Sequence, residues 1–501
     1  MRLIPEELQL RILSYISQRE LADTVSLVCR HWHVLANDAS LWHSFPWKLL
    51  FSARQEQITL ERRIRRLCVM HPDIGELTLR NTSAFPERAI EHLLNRCKKV
   101  KTIDLDNSMN YYKSHLGSFL DIITQNLSML RHIACQNCYL PYPALAFRRP
   151  SPAATAAVAL ELVVTRIPNV VDLNLSACEI VPAVLNCIGE RCRALLHLNL
   201  SHTAITATDV ANILNQRKAS LQTINIRDIP NVISSFYSLA SNLLVDPEDV
   251  VSPSSSPRGN PTVKIQEFAQ HFAHIRTLTI STTTENEAAG INHFIEGLAR
   301  TNSSLVSLAI RSTSLSAEHL ANLALARSTT LRKIDLSCCN KLDAKAVITI
   351  TANCKRIEAL NLNFLPQLND SALMEISRKH SGSLRVLSLY QCSSITDEGV
   401  LAVIFRCARL KFLSLTKTSV TARSVRAVSE LPELQVLCLS YADVELLKKI
   451  AQCSSLRHLV LDPFAVGQTG MGEGQGLFPH TAINEYSEQK LLQMHWQLLG
   501  H

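Results

Sequence analysis

Fifteen cysteines and eighteen histidines in 501 residues are enough to build metal or nucleophile sites, so their spacing decides whether they do. Cys135 and Cys138 form a C-x-x-C, but no second pair stands nearby at the separation a zinc site needs. His31 and His33 flank Trp32, and His271 and His274 sit three apart on a segment with ordinary helical periodicity. No G-x-x-x-x-G-K-[ST] loop, G-x-S-x-G elbow or H-E-x-x-H pair occurs. The reading is therefore no catalytic residue, no metal site and no cofactor, and function is sought in residues that bind. Arginine and aromatic side chains dominate protein interfaces. Arg227, Arg311, Tyr390 and Phe412, with Lys333 beside them, are of those types, and all fall at alternate positions of a repeating pattern.

That pattern is clearest over residues 331–420. Setting Leu331, Ile357, Leu384 and Leu410 in register gives steps of 26, 27 and 26 residues, each opening with an apolar L-x-x-L-x-L triplet. Alternation of apolar residues marks a half-buried strand. A capping residue follows at Asp343, Asn369, Thr396 or Thr421, then a segment with apolar residues at helical spacing. One unit is thus strand, turn and helix, and it resembles a leucine-rich repeat. Such a unit cannot bury its apolar face alone, so units must stack, strands on one side and helices on the other. The third, fifth and seventh positions of each strand then face outward on the concave side, which selects the five residues above as substrate-binding candidates.

The period can be followed from Ile74 through Val100, Leu130, Val170, Leu195, Leu221, Ile275, Leu305, Leu331, Ile357, Leu384, Leu410 and Leu434 to Leu456, about fourteen units. Two intervals are long, with insertions expected near 139–155 and 244–263. The second is rich in serine and proline and carries Ser252-Pro253 and Ser256-Pro257 steps that a proline-directed kinase could use. Nine of the fifteen cysteines keep a fixed place in the period, as expected of reduced core residues in an intracellular protein. A glycine-rich stretch follows the last units, and then a helix is expected over about 484–498. Sealing the last repeat is its expected role; folding back along the inner surface is the alternative.

The first forty residues do not fit the repeat. Leu8, Ile12, Leu13 and Ile16 make an apolar stripe behind Pro5, and a second helix from about Glu20 carries Leu21, Val25, Val28, Trp32 and Leu35. That is more apolar surface than so short a segment can bury, so a partner is expected. The ordered elements P-E-E-L, I-L-S-Y-I, V-C-R-x-W, L-A and L-W resemble the F-box, with Ile4 in place of the usual leucine. The resemblance implies that Pro5, Leu8, Ile12, Leu13, Ile16, Leu21, Val28 and Trp32 serve contact with a Skp-family adaptor or the core beneath it.

As a whole the chain resembles an F-box protein with cysteine-containing leucine-rich repeats. The expected fold is an α/β solenoid, a horseshoe of inner parallel strands and outer helices, behind a small all-α module. The expected layout is an F-box over 1–45, linker helices over 46–70, about fourteen repeats over 71–465, and a flexible segment with a terminal helix over 466–501. The resemblance implies a non-catalytic substrate receptor of a Skp–cullin–F-box ubiquitin ligase, reaching the cullin scaffold through the adaptor. Its rival is a repeat scaffold or ligand sensor with no such role. Arg227 and Arg311 suggest a phosphoprotein substrate if they share a phosphate. The net charge of +8 and 5% aromatic content give little support to nucleic acid, which rests on Arg62, Arg63, Arg65 and Arg66 alone. No apolar run suggests a membrane span and the N-terminus has no secretory pattern, so cytoplasm or nucleus is expected.

Overall fold

The computed structural model describes residues 5–14, 21, 25–36, 38, 41, 44–46, 76–78, 99–104, 130–134, 169–178, 180, 182–229, 261–282, 285–312, 314–440, 442–461, 481–483 and 487–498. The chain divides into two compact units, Met1–Ile205 with Asn212–Leu221, and Thr206–Ala211 with Gln222–His501; the division falls inside the helix Ala207–Gln216.

In the first unit, helices Glu6–Leu13, Ser26–Val28 and Arg30–Ala36 precede six strands: β1 (Ser44–Pro46), β2 (Glu76–Thr78), β3 (Thr102–Asp104), β4 (His132–Ala134), β5 (Asp172–Asn174) and β6 (His197–Asn199). They pair in parallel in chain order, with Phe45, Leu77, Ile103, Ile133, Leu173 and Leu198 at one register position. The second unit continues the plan with β7 (Thr223–Ile226), β8 (Thr277–Ser281), β9 (Ser307–Arg311), β10 (Lys333–Asp335), β11 (Ala359–Asn361), β12 (Val386–Ser388), β13 (Phe412–Ser414), β14 (Val436–Leu439), β15 (His458–Leu461) and β16 (Ala482–Ile483). These too are parallel and in order. Their central residues, Ile224, Leu278, Leu308, Ile334, Leu360, Leu387, Leu413, Leu437 and Leu459, are each at most 1% exposed. Parallel strands need a crossover between them, and from β8 to β14 a helix supplies it in every repeat. This is the α/β leucine-rich-repeat solenoid.

The repeat's period sets the core. Thirteen of the fourteen opening residues, Val100 through Leu456, are buried, and Ile74 lies outside the described residues. Asp343 accepts the Ala346 N–H at 2.7 Å, Thr396 that of Glu398 at 3.4 Å and Thr421 that of Arg423 at 3.2 Å, so these three cap their helices as expected. Asn369 does not; its side chain accepts from the Ser371 hydroxyl at 2.6 Å instead. The next repeat is latched by the acid that opens the previous helix. Asp397 accepts the Thr421 N–H at 2.9 Å together with the Thr421 and Ser424 hydroxyls, and Asp370 accepts the Thr396 N–H at 2.9 Å.

The turns after β5, β6, β7 and β10 to β13 take a left-handed residue that is not glycine. Ala177, His202, Asp228, Cys338, Phe364, Gln391 and Lys417 all adopt φ between 53° and 65°. A left-handed non-glycine residue costs about 1–2 kcal/mol. The cost is offset because the turn aims the N–H at the next repeat: Cys338 N–H reaches Asn363 O at 3.0 Å, Phe364 reaches Tyr390 O at 2.9 Å and Gln391 reaches Thr416 O at 2.9 Å.

Three boundaries differ from expectation. The sheet begins at β1, ahead of residue 71, because Ser44–Pro46 pairs with β2. It ends beyond residue 465, where Ala482–Ile483 adds to β15. A helix Pro261–Gln270 starts inside the second insertion, with proline at the first helical position, where a missing N–H costs nothing. Residues 47–75, 139–155 and 244–260, with the arginine cluster and both Ser-Pro steps, lie outside the described residues, as do Cys135 and Cys138.

Candidate interaction surfaces

Pro5 stands just ahead of the first helix, and its carbonyl accepts the Leu8 and Gln9 N–H groups at 3.0 and 3.1 Å. Glu6 and Glu7 in the first turn suit the positive end of the helix dipole. The second predicted helix is interrupted at Cys29, whose backbone is extended, so that Ser26–Val28 and Arg30–Ala36 are separate. Leu13, Leu21, Val25, Leu35, Ala36 and Leu41 are buried and form the module's core. Leu8 and Ile12 share one helix face four residues apart and are 49% and 52% exposed; Val28 is 65% exposed. Leu27 and Val34, which the pattern of the sequence did not single out, are 76% and 65% exposed. Of the residues expected to serve an adaptor, Pro5, Leu8, Ile12 and Val28 are thus available, Trp32 is half-buried, Leu13 and Leu21 lie beneath, and Ile16 is outside the described residues.

The five candidates on the strands separate into two groups. Arg227 and Arg311 are half-buried and point to different partners: Arg227 Nε pairs with Asp228 Oδ2 at 2.9 Å, while Arg311 Nε donates to Ser337 Oγ at 3.0 Å in the following repeat. Asp228 is itself fixed by the Ser281 hydroxyl at 2.7 Å. The two guanidinium groups are thus held by different partners, Arg227 by a carboxylate and Arg311 by a hydroxyl. Tyr390 packs against Phe364 with ring centroids 5.2 Å apart and planes tilted by 59°, and Lys417 Nζ lies 5.4 Å from the centre of the Tyr390 ring. That rim remains open, Phe364 being 37% exposed.

Phe412 and Lys333 are not open. Phe412 is fully buried and Lys333 is 4% exposed, because the helix Glu488–Leu498 lies across the strand face above them. Ala359, Val386, Phe412, Val436 and Cys438 pack with Leu491 and Leu492, and Val460 and Trp496 join the edge. Lys333 Nζ donates to Trp496 O at 2.8 Å, Trp496 Nε1 to Ser307 Oγ at 3.3 Å, and the Ser414 hydroxyl to Glu488 Oε1. The terminal helix therefore follows the inner surface, which corrects the expectation that it seals the last repeat. Strands β5 to β7 keep one face half-exposed, whereas β11 to β14 are buried on both. The signal was in the sequence: the third strand position is apolar at Ala359, Val386, Phe412 and Val436, where a solvated face needs polar residues.

Burial sets the protonation of this seat. It pushes the Glu488 carboxyl up, against the hydroxyls of Ser414 and Thr416 that hold it down. It pulls the His495 imidazole down, helped by His458 and Lys411 and opposed by the Leu491 carbonyl, and it pulls Lys333 down against the pull of Glu358. The core thiols are likewise neutral: burial raises Cys192, Cys339, Cys354 and Cys407 to about 12. Cys339 and Cys392 donate to the Ile310 and Leu362 carbonyls of the preceding repeat at 3.3 and 3.0 Å. Among the described residues no group of three or more His, Cys, Asp or Glu is placed to hold a metal, and no helix is long and apolar enough to cross a membrane.

Residues 1–45 match the family model described as F-box-like. The N-terminal module is accordingly F-box-like, and it precedes the parallel-strand repeats. No curated protein sequence matches the chain. Among solved structures, the complex of Rad7 and Elc1 from yeast is similar at 14% identity over 97% of each chain, with a TM-score of 0.49. An internalin from Listeria monocytogenes is similar at 14% identity, over 76% of this chain and 94% of its own, with a TM-score of 0.35. The TLR13–ssRNA13 complex is similar at 13% identity, over 78% of this chain and 51% of its own, also with a TM-score of 0.35.

Proposed function

We propose that this protein is the substrate-receptor subunit of a Skp–cullin–F-box ubiquitin ligase, binding the adaptor through its N-terminal module and a protein substrate through the strand face of its repeats. The observation that supports this most is the division of labour within residues 1–45. A small buried core holds up Leu8, Ile12, Leu27, Val28 and Val34 in water, at a cost that only a partner recovers. The chain itself does no chemistry in this reading. Its contribution is proximity, since holding a substrate lysine near a charged conjugating enzyme converts a bimolecular step into a nearly intramolecular one.

Light scattering after size exclusion tests the proposal. The full chain mixed with a Skp-family adaptor and a cullin is expected to elute as one ternary complex of equal stoichiometry. A chain that takes up adaptor but leaves the cullin free would remove the ligase role, and one that takes up neither would remove both.

A further inference from the structure

The seat of the terminal helix has the construction of a receptor. Its floor is a row of side chains from successive repeats, Ala359, Val386, Phe412 and Val436, extended by Val460. At one end the Ser414 hydroxyl meets a carboxylate in the first turn of the helix. At the other, Lys333 donates to a carbonyl of its last turn, and a cation there complements the negative end of a helix dipole. Between them Leu491 and Leu492 fill the floor and Trp496 reaches Ser307. Each feature recognises a property of a helix rather than of a particular chain: length, polarity, an acid first, a leucine pair, an aromatic last.

The resident helix is also an imperfect occupant. Glu488 is held by the Ser414 hydroxyl and, among the described residues, by no cation, and His495 lies against Phe412 with Lys411 and His458 nearby. It follows β16, behind a sequence with glycine at 467, 470, 472, 474 and 476. A helix that belongs to the chain it packs on competes at an effective concentration of about millimolar, and a ligand that pairs these positions better can replace it.

We propose that the strand face from β10 to β14 is a docking site for an amphipathic helix of a partner protein, carrying a carboxylate, a leucine pair and an aromatic at the spacing of Glu488, Leu491, Leu492 and Trp496, and that the chain's own tail is its resident competitor. This rests on the reading of the strand face as the substrate-binding surface and specifies the substrate's recognition element as a helix in a groove. Phe412 and Lys333 are then binding anchors that are covered until the tail leaves.

The probe is a peptide of residues 484–501 bearing a fluorophore, titrated into the full chain and into a full-length Leu491→Asp/Leu492→Asp/Trp496→Ala variant whose tail cannot dock. The variant is expected to bind the peptide one to one, at least tenfold more tightly than the native chain does. Peptides carrying Trp496→Ala or the helix-breaking Gln493→Pro should fail to compete. A variant that unfolds cooperatively and still takes up adaptor, yet ignores the peptide, would show the tail to be a permanent clasp and leave the adaptor reading untouched. Should the variant not fold, hydrogen exchange on the native chain decides. Excess isotope-labelled peptide is expected to speed exchange in the chain's own 488–498 helix while β10 to β14 stay protected, and no change in that helix overturns the proposal.

Discussion

Glu488 shows how a single carboxylate in the seat sets a pH dependence. Burial raises its pKa in the docked state above the ordinary 4.5. A group raised on docking favours the docked state fully below its free pKa, and that contribution is lost as pH rises through the docked value. Glu488→Gln keeps an oxygen for the Ser414 hydroxyl and carries no charge to bury. Hydrogen exchange of residues 488–498 should therefore show the variant's tail held more tightly than the native tail at pH 8, with the difference shrinking to nothing toward pH 4. An equal difference at both ends would contradict the assignment. Phe412 makes a second case. Its ring is fully buried between Val386, Val436 and the tail, so Phe412→Ala should lower stability by about 3–5 kcal/mol in denaturant unfolding. An exposed binding residue would lose less than 1 kcal/mol. The alternation of the strand placed Phe412 correctly on the inner face, but alternation says which way a side chain points and nothing about what covers it.

At the scale of the element, the helices hold two opposite lessons. Asp397 joins its own helix to the next repeat; although burial pushes its pKa up, the hydroxyls of Ser424 and Thr421 and their backbone N–H groups outweigh it, and the net shift is downward. A depressed carboxylate contributes stability above its free pKa of 3.8 that disappears as pH falls through the folded value. Asp397→Ala should cost about 0.5–2 kcal/mol at pH 7 in thermal unfolding and almost nothing in strong acid. Gly297 runs the other way from a propensity argument. Alanine in mid-helix normally stabilises by up to about 1 kcal/mol over glycine. Here a Cβ would stand 2.6 Å from the Ala269 Cβ and 3.0 Å from the Gln266 backbone, so Gly297→Ala should lower the melting temperature. Caps and strands were legible because they depend on residues within a few positions. The left-handed turns were not: Phe364, Gln391 and Lys417 give no glycine signal, and a hydrogen bond to the next repeat holds the conformation.

At the scale of the molecule, the sequence shows two kinds of surface because it has two kinds of periodicity. The repeat period places every buried opening residue from Val100 onward, and its failure before residue 45 isolates the N-terminal module. Long-range pairing is less visible: β1 and β16 lie outside the expected repeats, and the tail's path across the strands depends on contacts about 160 residues apart in sequence, such as Lys333 with Trp496. If the proposed function holds, the module and the strand face act as separate interaction surfaces on one chain. The measurement that tests it most directly is recovery of a Skp-family adaptor by three full-length chains: native, Leu8→Asp/Ile12→Asp, and Trp496→Ala. Both exposed leucine-helix positions can accept a charge without disturbing the core, so the double variant should stay folded yet recover at least tenfold less adaptor, while Trp496→Ala should recover as much as the native chain. Equal recovery by the double variant, with its unfolding transition intact, would contradict the account.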